Sequence, residues 1–350
     1  MRDLFLLDPD VVYLNHGSFG ACPRPVFDVY QAYQRELERQ PVEFLARERG
    51  LGKLLDGART RLAAYVGANV ANLVFVPNAT TGLNSVMRSL ELAPGDEILC
   101  GDMEYGGMQI LLEFVAKRTG ATVAAQPFAE LEPGPRTRVV FCSHVEWISG
   151  RVNDLAPVID AAHAADAIVV VDGAHAPGQI PLALDELGAD VYSANCHKWL
   201  CSPKGSAFLY ARPEVQDGLV PPIVSWDWSE GGAFAETHAW QGTRDPAAYL
   251  SVPAAIDFQA EHDWPAVRMR CHELLAALDL PFARLTDTFV QMLGFALPAG
   301  TDALALKNRL YDRHRIEVPI VESPTGITMR VSVQAYNDQS DLEALVAAFA

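Results

Sequence analysis

Apolar positions along the chain follow two rhythms. Short, largely apolar runs at 73–76, 97–100, 122–125, 138–142, 168–171, 191–194 and 206–210 are bounded by turn-forming residues. Runs of this length without alternation predict strands buried on both faces. Between them lie longer segments with helical character, at 25–39, 50–66 and 155–165, and two more that close near Leu90 and Arg118. Pro25 sits where a helix tolerates proline, in its first turn. Strand and helix in alternation predict an α/β unit built on a mostly parallel seven-stranded sheet. After Ala260 the texture changes: helices are expected at 267–278, 303–314 and over the last ten residues, and strands at 289–295 and 328–333. The expected organisation is a large α/β domain over 31–260 and a small α+β domain over 261–350. An N-terminal segment, 1–30, would join the small domain and the active site; it holds a short apolar run at 11–14 and the loop Asn15-His16-Gly17-Ser18-Phe19-Gly20.

In open α/β sheets ligands bind beyond the carboxyl ends of the strands. Thr80, Tyr105, Asp172 and His175 all follow expected strands and fall in that zone. Composition adds mainly exclusions. Half of the 350 residues are apolar, enough for a large core. The net charge of -17 repels nucleic acid and anionic membranes, so neither is an expected partner. No apolar run is long enough to cross a bilayer, and the opening residues turn acidic too soon for a signal peptide. The six cysteines form no CxxC or other metal spacing, so no metal is expected and a reducing cytoplasm is the expected compartment.

The densest chemical signal is Asp190-Val-Tyr-Ser-Ala-Asn195-Cys196-His197-Lys198-Trp199-Leu200. A lysine after a buried strand becomes a nucleophile when desolvation or a nearby cation lowers its pKa. Upstream, Val169-Val170-Val171-Asp172-Gly173-Ala174-His175 ends a strand on a carboxylate. Such an aspartate can keep a cofactor's pyridine nitrogen protonated; a helix N-cap is the plainer alternative. Asn78-Ala79-Thr80-Thr81-Gly82 lies between strand and helix, where free N–H groups suit a phosphate. Neither the Walker pattern nor GxGxxG is present, which favours a small phosphate over a nucleotide and disfavours a nicotinamide-dependent dehydrogenase.

Together, Tyr13-Leu-Asn15-His16-Gly17, Asp172-Gly-Ala-His175, Asn195-Cys-His197-Lys198-Trp199, Gly242-Thr243-Arg244-Asp245 and Met329-Arg330 through Tyr336-Asn337 resemble the class V aminotransferase family, of pyridoxal 5′-phosphate (PLP) fold type I. The chain looks most like its isopenicillin N epimerase and cysteine desulfurase-like branch. The resemblance implies that Lys198 forms a Schiff base with PLP and moves the substrate's α-proton. It implies that Asp172 pairs with the pyridine nitrogen, His175 sits by the phenolic oxygen and Tyr105 stacks on the ring. Ala79, Thr80, Asn195 and His197 would hold the phosphate, and Thr243 would reach the phosphate of a neighbouring subunit in a homodimer. Arg330 would bind the substrate α-carboxylate, with Asn15 and His16 lining the substrate side.

Trp147 departs from the family pattern, which has a small or amide residue there, and either replaces a cofactor contact or narrows the substrate pocket. His144 reads as structural. The stretch 316–329 lacks the sulfur-accepting cysteine of a persulfide-forming desulfurase, and Cys196 and Cys201 are not on that loop. A C–S or related β-lyase is the expected activity on a small amino acid. Epimerisation and transamination are the alternatives, and a catalytically dead PLP-fold binding module is the non-enzyme rival.

Overall fold

The structure, a computed structural model, describes residues 1–323 and 326–349. In chain order its strands are β1 (Val12–Tyr13), β2 (Leu73–Val76), β3 (Glu97–Gly101), β4 (Thr122–Gln126), β5 (Thr137–Ser143), β6 (Ile168–Asp172), β7 (Val191–Asn195), β8 (Ala207–Ala211), β9 (Ala283–Arg284), β10 (Met292–Ala296), β11 (Ile316–Glu317), β12 (Ile320–Ser323) and β13 (Gly326–Ser332). The seven apolar runs form one seven-stranded sheet in the order β2-β8-β7-β6-β5-β3-β4. Only β8 runs against its neighbours, so the expected mostly parallel α/β sheet is present.

The continuous apolar runs reflect burial on both faces, except that the edge strand β4, expected to be buried as well, is partly exposed. Along β6, Val169 and Val171 pack into one hydrophobic cluster and Val170 into another across the sheet. All three are 0 % exposed, and each contributes roughly 1.5–3 kcal/mol relative to an exposed side chain. The flanking helices include Ala79–Ser89, Gly106–Thr119 and Ala156–Ala164. The segment expected to be helical from residue 50 opens with a π-helical turn at Arg47–Leu51, and its α-helix begins at Gly52.

Register sets the site. Ser143 pairs with Asp172, and Asp172 with Ser193, so β5 and β6 end level with one another and β7 runs two residues further, to Asn195. The chain leaves β6 through Gly173, where an added Cβ would lie 2.0 Å from Cε1 of the buried Tyr192 ring. Tyr192 is held from the other side by its hydroxyl, 2.8 Å from His144 Nδ1.

A second, antiparallel sheet has the order β12-β13-β10-β9. Its central strand β13 carries Arg330 opposite Gly294. The strand expected at 289–295 starts only at Met292, because the Gln291 N–H is taken by Gln179 Oε1. The N-terminal run forms β1, paired in parallel with β11. The following loop presses on the lysine loop at Gly20, whose φ is +69° and where an added Cβ would lie 1.9 Å from the His197 carbonyl oxygen, leaving no room for a side chain.

Gly173→Ala should destabilise the protein by about 1–3 kcal/mol, because the ring it meets is itself pinned. Urea unfolding of the variant beside wild type measures this, and a neutral result would remove Tyr192 as a constraint on the Asp172 turn.

Candidate active site

The carboxyl ends of the large sheet and the face of β13 enclose a cavity of about 460 Å³. Thr80, Tyr105, Asp172, His175, Asn195, His197, Lys198 and Arg330 all line it. These side chains come from the ends of four strands of the large sheet, β2, β3, β6 and β7, and from the middle of β13, gathered by strand order rather than by sequence proximity.

Lys198 follows β7. Its Nζ lies 3.0 Å from His175 Nε2. Burial, aided by the Arg330 charge and opposed by Asp172, lowers its pKa to about 7. A large fraction is therefore unprotonated near neutrality, which a nucleophile or proton acceptor requires. Burial and the nearby Lys198 and Arg330 cations keep His175 neutral.

Asp172 is 6 % exposed. Its Oδ1 accepts the Ala174 N–H at 2.9 Å, and its other oxygen meets no donor among the described residues. Burial raises its pKa, with the Ala174 N–H and Lys198 opposing. A carboxylate kept dry and half-satisfied at the edge of a cavity suits a ligand bearing a charged N–H.

Across the cavity Arg330 is buried without an anionic partner among the described residues. Its Nη1 donates to the Trp147 carbonyl at 2.6 Å, and Nη2 donates to Ser18 Oγ at 2.8 Å and Asn15 Oδ1 at 3.5 Å. Its Nε has no partner. Burial pulls even this guanidinium down to about 10. Neutral acceptors orient the fork and leave its charge uncompensated, an arrangement suited to a carboxylate ligand.

At the opposite end, the helix Ala79–Ser89 starts at the cavity with Asn78 as its N-cap. The Ala79 N–H is taken by Asn195 Oδ1 at 2.9 Å, so Ala79 offers no free donor. The N–H and hydroxyl of Thr80 have no partner within the described residues. His197 Nδ1 contacts the Ser206 carbonyl at 3.1 Å, and burial drops the ring's pKa to about 4. A helix start with unspent donors beside a neutral imidazole is suited to a phosphate.

Three expected site residues lie elsewhere. His16 does not line the cavity: it is fully buried, with Nδ1 3.0 Å from the Tyr336 hydroxyl and Nε2 3.0 Å from the Lys198 carbonyl. Its ring is spent bracing the lysine loop, which replaces the expected substrate-side role. Asn15 is likewise behind the wall, held between Glu317, Ser18 and Arg330, and it orients the arginine. Thr243 is exposed and away from the cavity of its own chain. His144 is engaged with Tyr192, as a structural residue would be. Trp147 lines the cavity, edge-on to Tyr105 with ring centroids 5.5 Å apart.

The sequence reading missed Glu104. It is 4 % exposed, with Oε1 accepting the Ser143 N–H at 3.0 Å and Oε2 2.5 Å from Ser143 Oγ. Burial lifts its pKa to about 8, against the Ser143 hydroxyl and with the Asp172 charge adding. A carboxyl one residue before Tyr105, after a buried strand, was the available signal. Ser18 was inside the quoted N-terminal loop, but only the fold shows it meeting Arg330.

The donor set fits PLP: an acid for a pyridinium, a helix start for a phosphate, an amine for an aldehyde. This fold and site define a PLP-dependent enzyme of fold type I. The aminotransferase class-V family model matches residues 12–345, and the chain belongs to that family. It is 37 % identical to the isopenicillin N epimerase of Amycolatopsis lactamdurans, over 99 % of this chain and 96 % of that protein. It is 28 % identical to a probable chloroplastic L-cysteine desulfhydrase of Arabidopsis thaliana, over 97 % of this chain and 82 % of that protein. Among solved structures, a cystine C–S lyase in complex with its reaction product cysteine persulfide superposes with a TM-score of 0.84 at 24 % identity, covering 97 % of each chain. Among the described residues, no helix is long and apolar enough to cross a membrane.

Because the native state holds the Glu104 proton between about pH 4.5 and about 8, its contribution to stability falls as pH rises through that window. Glu104→Gln keeps a donor toward Ser143 Oγ and cannot ionise. Its stability relative to wild type should therefore improve steadily across the same window, as followed by urea unfolding at several pH values. A flat difference would show that Glu104 titrates normally.

Proposed function

We propose that the protein is a C–S or related β-lyase acting on a small amino acid, which Arg330 binds by its α-carboxylate and from which Lys198 takes the α-proton. The observation that carries this reading is Arg330, a buried guanidinium without an anionic partner among the described residues, facing the same cavity as a lysine whose pKa burial lowers to about 7. PLP, when bound, draws electrons from the substrate α-carbon and weakens the bonds to it. Lys198 is its covalent anchor, Asp172 holds the pyridine nitrogen, His175 donates toward the phenolic oxygen, and Tyr105 covers the ring face. Thr80 and His197 hold the phosphate, with Asn195 fixing the helix start through Ala79. Thr243 completes the phosphate site of a second copy in a homodimer. Its exposure, and that of Ile223, Val224 and Trp226 on the same stretch of chain, supports this. The cytoplasm is the proposed compartment.

Persulfide-forming desulfuration lies outside this reading. No cysteine lines the cavity among the described residues, and the stretch 316–329 contains none. Epimerisation is the second reading, favoured by the 37 % and 35 % identity to two isopenicillin N epimerases.

The test is turnover of L-cysteine and L-cystine in deuterated water by the PLP-loaded enzyme. A β-lyase releases pyruvate. An epimerase returns the amino acid deuterated at the α-carbon in both configurations, without pyruvate. α-Deuteration without pyruvate would overturn the lyase reading in favour of the epimerase, and the absence of both outcomes would sink both readings. Arg330→Ala should lower kcat/KM by about 100-fold or more while leaving the cofactor's visible absorption in place. Borohydride should fix the cofactor to the Lys198 peptide in wild type and to no peptide of Lys198→Ala.

A further inference from the structure

Both ring nitrogens of His175 are engaged, and one partner leaves no choice of role. The Trp199 indole Nε1 lies 3.2 Å from Nδ1, and an indole nitrogen can only donate. Nδ1 is therefore the bare nitrogen, and the neutral ring carries its proton on Nε2. That N–H points at Lys198 Nζ, 3.0 Å away. A donor facing an amine is satisfied by the amine's lone pair and opposed by an ammonium, which has none.

The arrangement is rigid. Trp199 is 0 % exposed, and its carbonyl accepts the Gln259 side-chain amide at 2.9 Å. Its ring packs on His16 with centroids 5.0 Å apart. The His175 carbonyl accepts Gln179 Nε2 at 2.8 Å, which fixes the backbone of the turn. The other charged or titratable groups facing this pair are Asp172 from the end of β6, Arg330 from β13, His197 from the lysine loop and His16 from the N-terminal loop. None of them is hydrogen-bonded to His175 Nδ1, so the indole alone selects the tautomer.

We infer that Trp199 is a positioning residue whose indole N–H locks His175 in the Nε2–H tautomer, making His175 an obligatory donor toward Lys198 and toward any acceptor that enters beside it. A ring free to swap tautomers would offer Nε2 as an acceptor half-way through a cycle, stabilise the ammonium form of Lys198 and withdraw the donor from the site. The inference rests on reading Lys198 as the reactive amine. It concerns the protein's own groups and is testable before cofactor is added.

The experiment uses the full-length chain without bound PLP, labelled with nitrogen-15 in histidine. Long-range nitrogen–proton NMR reads the His175 tautomer. Mass-spectrometric labelling of Lys198 by an amine reagent across pH reads its titration. Wild type should show His175 protonated on Nε2. In Trp199→Phe the Nδ1–H form should appear, and the Lys198 labelling midpoint should rise by about one pH unit. In a His175→Gln background the amide brings its own donor, so adding Trp199→Phe should leave the midpoint unmoved. The inference is overturned by an Nδ1–H ring in wild type, by no change in Trp199→Phe, or by an equal shift in both backgrounds, which would mark Trp199 as packing alone. If Trp199→Phe does not fold, the wild-type tautomer decides. Absence of borohydride-fixed PLP would defeat the cofactor assignment of Lys198 and leave the tautomer result standing.

Discussion

Three ionisable groups, Lys198, Arg330 and Asp172, share one cavity without forming an ion pair with one another. Burial is unfavourable to each, and no ion pair relieves it within the described residues. A fold built only for stability would close such a gap with a salt bridge or replace the charges with apolar side chains. Here the separation is enforced by geometry. Asp172 ends a strand of the large sheet and Arg330 sits at the centre of the small one, and the loop from Ser143 to Asn153 spans the two. That loop spends its Trp147 carbonyl on the arginine, and the N-terminal loop spends Ser18. Neutral acceptors fix the direction of the cation and leave its charge to the ligand.

The supporting elements follow from this constraint. The buried strands of the large sheet set the level of Ser143, Asp172 and Ser193, and the Gly173 turn lets Asp172 emerge beside a large ring. His16, buried among Tyr336, Trp199 and the Lys198 carbonyl, works as a brace. Glu104, protonated over much of the neutral range, fills the space behind Ser143 without adding a second full negative charge next to Asp172. Such buried polar groups cost stability individually and are retained where preorganisation matters.

Much of this was legible in the sequence, for physical reasons. Strands buried on both faces leave unbroken apolar runs, so the seven-stranded sheet could be read directly. Chemistry placed right after those runs, as with Thr80, Tyr105, Asp172 and Lys198, had to cluster at one sheet edge. What could not be read was orientation. Asn15 and His16 occupy a promising loop, yet both point behind the cavity wall, and only the pairing of β1 with β11 and the contact with the lysine loop decides that. Ala79 was expected to offer its N–H to a phosphate, but a side chain over a hundred residues away takes it. Strand β12 and the late start of β10 depend on hydrogen bonds between distant segments, which local pattern does not encode.

The two ends of the chain meet: Arg2 forks onto Asp341, β1 lies beside β11, and Asn15 bridges to Ser332. During synthesis, Thr80, Tyr105, Asp172, His175, Asn195, His197 and Lys198 all precede the end of β8, while Thr243, Arg330 and the strands beside it are still to come. The N-terminal loop must wait for them too. Topology therefore orders assembly: the turns that carry Lys198 and Asp172 precede Arg330 along the chain, and the cavity is enclosed only once β13 has paired with β10. A chain that stopped before β13 would thus hold Lys198 and Asp172 without the arginine that faces them.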